Sequence, residues 1–175
     1  RMGYVGRRPG ARDSDAWFTP AKYIEAARTV LGRIDLDPFS DDVANLTVGA
    51  KLHYTEADNA FECSWMAGTV FMNPPYAGTL CRRAVEKFVE QYRNGNFQTG
   101  IVLVNNATET RFFQLLLSFS RAVCLTSHRI AFENSDGKKI SGNTRGQAFF
   151  YLARKPNLPL FKRVFSQFGK VLVCK

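Results

Sequence analysis

The stretch Thr69-Val70-Phe71-Met72-Asn73-Pro74-Pro75-Tyr76 runs from a short apolar strand straight into a rigid turn. Thr69 to Met72 are residues of the kind that fill a buried strand. Two prolines then stop any ladder: neither has an N–H to donate, and each holds φ near about −65°. A chain that leaves the sheet this stiffly through Pro74 and Pro75 lets the Asn73 side-chain oxygen and the Pro74 carbonyl point the same way. Both are acceptors, and two acceptors side by side match the two N–H donors of an exocyclic NH₂. Tyr76 stands where its ring can stack on a planar base, a contact worth about 1–3 kcal/mol. A plain strand-ending turn with Asn73 as a simple cap would use the same four residues.

The chemistry that suits such a turn is methyl transfer to an aromatic amine. The lone pair of an adenine-type amine is delocalised into the ring, which makes it a poor nucleophile. Acceptors for its protons move the nitrogen toward sp³ and give the lone pair a direction. With an activated methyl held in line, positioning and electrostatics carry the reaction without a covalent intermediate. No general base working near pH 7 is needed.

Outward from the turn the chain alternates helix and strand. On the C-terminal side, Leu80 to Tyr92 puts Ala84, Val85, Phe88 and Tyr92 on one helical face and closes near Gly95. Ile101 to Val104 reads as a buried parallel strand, Thr108 caps a helix through about Phe119, and Ala122 to Leu125 is a further strand. Residues 129–132 and 147–152 read as an antiparallel pair around a polar loop. On the N-terminal side, Thr19-Pro20 is expected to open a helix as N-cap and first-turn proline, closed by Gly32. Its face carries Tyr23, Ile24, Ala27, Val30 and Leu31. A short strand from Ile34 to Asp37 breaks at Pro38, and 41–61 reads as irregular or weakly helical. The sum is a doubly wound α/β sheet, mostly parallel, with an antiparallel C-terminal hairpin. Ligands in such sheets bind beyond the carboxyl ends of the strands near the switch point, which selects Asp37-Pro38, Asn73 to Tyr76, and Asn105-Asn106.

Length and charge narrow the function. The chain has 175 residues, enough for one domain with a real core, and 45 % hydrophobic content excludes a disordered tail protein. No apolar run is long enough for a membrane-spanning helix, and Arg1 to Gly10 has no apolar signal region. Cys63, Cys81, Cys124 and Cys174 form no C-x-x-C pair, and His53 and His128 are the only histidines, so no metal is expected. The thiols read as reduced, in a cytoplasmic protein. Residues 1–12 carry four arginines and no acid, residues 13–120 a net −4, and residues 121–175 a net +9. An acidic middle between basic ends suits a site that holds a cation while the periphery holds a polyanion; a solvated basic surface fits as well. Residues 1–16 read as a basic, flexible arm in which Arg7, Arg8 and Arg12 could enter a nucleic-acid groove. Lys138, Lys139 and Arg145 lie in the polar loop and could follow a DNA backbone or simply be solvated. Asp41 and Asp42 suit an acidic helix start better than a ribose site, Trp17 suits a hydrophobic staple or a ligand stack, and both histidines read as structural.

Taken in order, these residues resemble a known family. Asn73-Pro74-Pro75-Tyr76 is the (D/N)PP(Y/F) motif of amino-group methyltransferases that use S-adenosylmethionine (SAM). More closely, the chain resembles the small phage and prophage DNA N-6-adenine methyltransferase (Dam) family. The likeness runs through Trp17-Phe18-Thr19-Pro20, Asp35-Leu36-Asp37-Pro38-Phe39-Ser40, Ala57-Asp58-Asn59-Ala60-Phe61 and Trp65 to the turn. It continues through Thr108-Glu109-Thr110-Arg111-Phe112-Phe113, Arg129-Ile130-Ala131-Phe132 and Phe149-Phe150-Tyr151. The resemblance implies a single Rossmann-like SAM-dependent methyltransferase domain over residues 17–175. It implies transfer to adenine N6 in double-stranded DNA, with the base flipped into the pocket of the turn. The oligomeric state stays open between a monomer, which would suffice, and a weak dimer.

Residue by residue, the resemblance implies that Thr19 and Pro20 pack near the methionine end of SAM. Asp37, with Pro38 and Ser40, would bind its amino or ribose groups, and Asp58 with Asn59 its adenine. Asn73, Pro74, Pro75 and Tyr76 would receive the target base, and Phe132 would supply a second stacking face. The chain departs from the family in lacking the glycine-rich SAM loop: Phe39-Ser40-Asp41 follows Asp37-Pro38. Only 36 positions separate Asp37 from Asn73, so the sheet is expected to be abbreviated between those strands. Another planar amine (cytosine N4, RNA, a protein glutamine) would use the same chemistry, and a DNA-binding relative with little activity would keep the fold. No large target-recognition insertion follows the turn, so a short site is expected, for which the family suggests GATC. A role in restriction avoidance by a phage follows from the resemblance alone.

Overall fold

In the computed structural model, residues 17–134, 136–140 and 142–174 are described. Five strands run one way: β1 (Leu36–Asp37), β2 (Leu52–His53), β3 (Thr69–Met72), β4 (Thr99–Asn105) and β5 (Ala122–Thr126). β6 (Gln147–Ala153) and β7 (Gly169–Val173) run the other way. The spatial order is β2-β1-β3-β4-β6-β5-β7. β1 pairs in parallel with both β2 and β3, and β3 with β4, while β6 is inserted antiparallel between β4 and β5. The order reverses between β1 and β3, so the switch point lies between Asp37 and Asn73.

Alternation along the central strands divides the core between the two faces. Phe71, Ile101, Leu103, Phe149 and Tyr151 face α1 (Ala21–Leu31) and α5 (Leu158–Phe165). Val70, Met72, Val102, Val104, Phe150 and Leu152 face α3 (Leu80–Arg93) and α4 (Arg111–Phe119). Gly100 lets α3 approach β4 closely, because a Cβ there would lie 2.5 Å from Phe88 Cζ. At the amino end of the sheet, Asp35 staples β1 to β3: its Oδ2 accepts from the Gly68 and Thr69 N–H groups, each at 3.1 Å.

Several local expectations change. The 41–61 stretch contains α2 (Asp42–Val48), N-capped by Asp41 Oδ1 on Ala44 N at 2.8 Å, and then β2. Two-residue strands are too short to show any period. Residues 129–132 are not a strand. Ile130 N–H donates to the Gln147 side chain, and the antiparallel partners of β6 are β4 and β5. The C-terminal hairpin is therefore β5–β6, joined by residues 127–146. Thr110, not Thr108, caps α4, accepting from Phe113 N. α1 begins at Ala21 with Pro20 in the cap position and no side-chain cap bond, so Thr19 is not its cap. Between β1 and β3, β2 is the one strand found among the described residues.

Candidate active site

The rim at the carboxyl ends of β1 to β5 gathers Asp37, His53, Asn73, Asn105 and Thr126. Asn73 follows β3 directly, with Pro74 and Pro75 buried behind it. Its Nδ2 donates to Thr19 Oγ1 at 3.1 Å. Its Oδ1 is buried and, among the described residues, has no hydrogen-bond partner. An unpaired buried acceptor costs about 1–3 kcal/mol, which a donor arriving there would relieve. Tyr76 is 37 % exposed, while its hydroxyl donates to the Leu103 carbonyl at 3.3 Å. Burial of that hydroxyl end, with the Cys81 thiol adding to it, pushes the phenol well above its usual range against a backbone hydrogen bond at Asn105. Anchored at its tip and open along its ring, Tyr76 stays neutral and offers a flat surface.

Across the switch point Asp37 is buried at 4 % exposure. Burial pushes its carboxyl up to about 7, opposed by hydrogen bonds from Phe39 N–H and the Ser40 hydroxyl and by His53, with Asp41 adding to the rise. His53 Nε2 lies 2.9 Å from Asp42 Oδ1. Asp58 is exposed, and its Oδ2 accepts from Thr55 N at 2.7 Å and Thr55 Oγ1 at 2.8 Å, which holds its carboxyl below the usual range. Asn59, next to it, takes a left-handed φ of 54°, shaping the turn that presents Asp58. Pro38 and Ser40 are buried beside Asp37, so the path after β1 is a packed turn leading into α2 rather than a glycine loop.

The segment Trp17-Phe18-Thr19 forms the wall beside Asn73. Phe18 exchanges backbone bonds with Glu133, N–H to O at 2.8 Å and 3.0 Å. Phe132 is only 3 % exposed and packs on Trp17 at 5.5 Å between ring centroids. It turns into the core with Ile130, so the open ring on this wall is that of Trp17, at 43 % exposure. Lys138, Lys139 and Arg145 are exposed on the connection that follows. Arg7, Arg8 and Arg12 lie outside the described residues.

Sequence reasoning missed Gln147, which is fully buried and ties that connection down. Its Oε1 accepts from Ile130 N at 2.8 Å, and its Nε2 donates to Arg145 O at 2.8 Å, Asn105 Oδ1 at 3.2 Å and Asn143 Oδ1 at 3.3 Å. Reading Thr19 as a helix cap hid its bond to Asn73. His128 sits against the Tyr23 hydroxyl at 2.9 Å. Among the described residues no group of three or more His, Cys, Asp or Glu could hold a metal, and no helix is long and apolar enough to cross a membrane.

A doubly wound sheet with an acceptor turn after β3 and a buried acid after β1 defines a SAM-dependent methyltransferase domain. The family model described as DNA N-6-adenine-methyltransferase (Dam) matches residues 9–168, and the chain belongs to that family. Its activity is accordingly the SAM-dependent methylation of adenine N6 in DNA. The match begins inside the stretch read as an N-terminal arm. No curated protein matches the chain. The residues present fit SAM: Asp37 is a buried carboxyl at the end of β1, and the hydroxyl, ammonium and sulfonium groups of such a ligand would favour its ionised form.

Proposed function

We propose that Asn73, Pro74, Pro75 and Tyr76 form the pocket for the flipped adenine, and that Asp37 with Pro38 and Ser40 holds SAM on the other side of the switch point. The observation that carries this reading is the orphaned, buried Asn73 Oδ1. SAM when bound supplies an activated methyl group. Asn73 Oδ1 and the Pro74 carbonyl accept hydrogen bonds from the two amine N–H groups, directing the nitrogen lone pair across the gap between β3 and β1, and the one proton that the methylated nitrogen sheds passes to solvent. Tyr76 stacks on the base, and its contact with Leu103 fixes the ring. Trp17, lying over Phe132, is the aromatic surface on the opposite wall. Asp58 and Asn59 take the SAM adenine, and Pro20 keeps the wall close to the methionine end.

Residues 17–175 act as one methyltransferase domain and residues 1–16 as a basic arm. The substrate is double-stranded DNA, gripped along its phosphates by Lys138, Lys139 and Arg145 and by Arg7 and Arg8, and a monomer suffices. Four free thiols among the described residues support a cytoplasmic setting.

The test incubates the protein with methyl-labelled SAM and unmethylated duplex DNA and identifies the labelled nucleosides by mass spectrometry. Label is expected on adenine N6. Asn73→Ala is expected to lose at least about 100-fold in transfer, since it removes an acceptor that acts on the reacting nitrogen, while binding SAM as the wild type does. An Asn73→Ala protein that still methylates, or one that folds but no longer binds SAM, would overturn the placement of Asn73 on the target side.

A further inference from the structure

We infer that Asn105 is a specificity-determining residue for the transfer: its side-chain Nδ2 donates to a ring nitrogen next to the amine of the flipped base. This deepens the reading above and rests on the amine being received at Asn73 and Pro74. In adenine the ring nitrogens N1 and N7 lie on either side of the amine, and both are acceptors. Acceptors at the turn match the amine, and a donor is what its neighbour asks for.

An amide's two ends are told apart only by partners whose role is fixed, and Gln147 has two of these. The Ile130 backbone N–H can only donate, and it lies 2.8 Å from Gln147 Oε1. The Arg145 carbonyl can only accept, and it lies 2.8 Å from Nε2. Gln147 Nε2 is therefore a donor, and the Asn105 atom 3.2 Å from it is the oxygen. Asn143 is fixed in the same way: its Nδ2 donates to the Ile130 carbonyl at 2.9 Å, and its Oδ1 accepts from the Arg145 N–H at 3.1 Å. With the Asn105 oxygen held by Gln147, Nδ2 is left on the other side of the amide. Among the described residues it has no partner.

Asn105 closes β4 where Asn73 follows β3. Met72 pairs with Val102, which brings Asn73 level with Leu103. Alternation then puts Asn73 and Asn105 on the face of Phe71 and Leu103. Standard strand spacings set their Cα atoms on the order of 8 Å apart, a gap that two side chains converging on neighbouring atoms of one base can span. Tyr76 bridges the interval: its hydroxyl donates to the Leu103 carbonyl at 3.3 Å and accepts from the Asn105 backbone N–H. A base stacked on that ring lies between the turn and the end of β4, within reach of both amides. Asn105 is half-buried, open to a ligand in front and fixed by Gln147 behind. A donor at N7 separates adenine from cytosine, which has a C–H in the matching place, whereas a donor at N1 meets a like nitrogen in both.

The test measures kcat/KM for methyl transfer to duplexes with adenine, 1-deazaadenine or 7-deazaadenine at the methylated position. Each analogue replaces one ring nitrogen with C–H. The wild type is expected to lose about 5- to 100-fold on the analogue that lacks the partner of Asn105. Asn105→Asp keeps an oxygen for Gln147 and removes the donor, so on adenine it is expected to lose by a similar factor. Its melting temperature and its SAM affinity, the latter within about twofold, are expected to match the wild type. Between adenine and the discriminating analogue the variant is expected to change by no more than about threefold, because the lost partner is no longer used. Asn105→Ala repeats the comparison without the added charge.

Wild-type rates in both variants overturn the inference. So does a penalty for each analogue that is equal in wild type and variants, which is how a residue that only supports β4 behaves. A loss on adenine that shrinks at low salt, with a flatter salt dependence of duplex binding, also overturns it and makes Asn105 a phosphate contact. The reading on which the inference rests is tested apart, by Asn73→Ala.

Discussion

Asn73 and Asp37 end strands that lie side by side, and both are withdrawn from water, but withdrawal acts on them differently. A neutral amide oxygen loses only its hydrogen bond, whereas a carboxylate loses the solvation of a full charge. Asp37 accordingly holds its proton up to about 7, with desolvation the largest cause, hydrogen bonds from Phe39 and Ser40 and the facing His53 opposing it, and Asp41 adding to it. The sign for stability follows. Between the ordinary carboxylate value and about 7 the folded chain binds more protons at Asp37 than the unfolded chain, so this group's contribution falls as pH rises through that window and is level above it. Asp37→Asn removes the effect. Urea unfolding at pH 5.5 and pH 8.5 is expected to show the wild type losing about 2 kcal/mol relative to Asp37→Asn, from the roughly 1.5 pH units of titration between 5.5 and 7. Equal pH dependence in the two proteins would show that Asp37 is already ionised. If SAM binds at Asp37 as proposed, its donors favour the ionised form, so SAM affinity is expected to rise with pH through the same window and to do so only in the wild type.

The connection between β5 and β6 shows how an element with little regular structure is kept in place. The described residues of 127–146 have neither helix nor ladder along most of their length; Gln147 at the head of β6 ties them to the sheet through Ile130, Asn143 and Arg145 and to the β4 rim through Asn105. Gln147→Leu fills the same space and satisfies none of those groups, each worth about 1–3 kcal/mol when left buried and unpaired. Trypsin cleavage after Lys138, Lys139 or Arg145, followed by mass spectrometry, is expected to accelerate at least about tenfold in that variant while α1 and β4 stay protected. An unchanged cleavage rate would show that the Phe18–Glu133 pairing alone holds the connection. This element also marks the limit of what the chain discloses locally. The α1 face of Tyr23, Ile24, Ala27, Val30 and Leu31 is buried as its spacing predicts, and β4 is the buried run that its composition suggests. Ile130 and Phe132 alternate like a strand, yet their backbone partners are a side chain and the distant Ile140 N–H, which no local pattern reveals. Asn157 and Pro159 carry ordinary start signals for α5, so that helix and β7 after it were open to reading. At the site, the Asn73 turn was legible because its chemistry lies in four consecutive residues. The Thr19–Asn73 bond spans 54 positions, and only the folded sheet brings its ends together.

Over the whole molecule, the arrangement of the sheet sorts the basic residues between two rims. Register pairs Asn105 with Gln147 at one end of β4 and Thr99 with Ala153 at the other, so residues 127–146 share the rim of Asn73 while Arg154 and Lys155 lie at the opposite rim. On that far side the arginines serve the fold: Arg154 Nη2 donates to Tyr92 O at 2.6 Å and Arg121 Nε to Ala153 O at 3.2 Å. On the near side Arg129, Lys138, Lys139 and Arg145 are exposed around the turn. A duplex whose adenine is to reach Asn73 must lie across this rim, and flipping the base costs a few kcal/mol that phosphate contacts help to offset. Each phosphate neutralised contributes about −0.9 to the slope of log K against log salt. Replacing Lys138, Lys139 and Arg145 together with alanine is therefore expected to flatten the slope by about 2 to 3 in a duplex-binding titration over about 50 to 200 mM salt. SAM affinity stays as in the wild type, because these side chains sit across β3 and β4 from Asp37. Lys155→Ala, on the far rim, is expected to leave the slope where it was. If the triple variant kept the wild-type slope, or if Lys155→Ala flattened it as much, the duplex would have to approach from another side. The path of an adenine to Asn73 would then need a different opening from the one between the Tyr76 turn and the Trp17 wall.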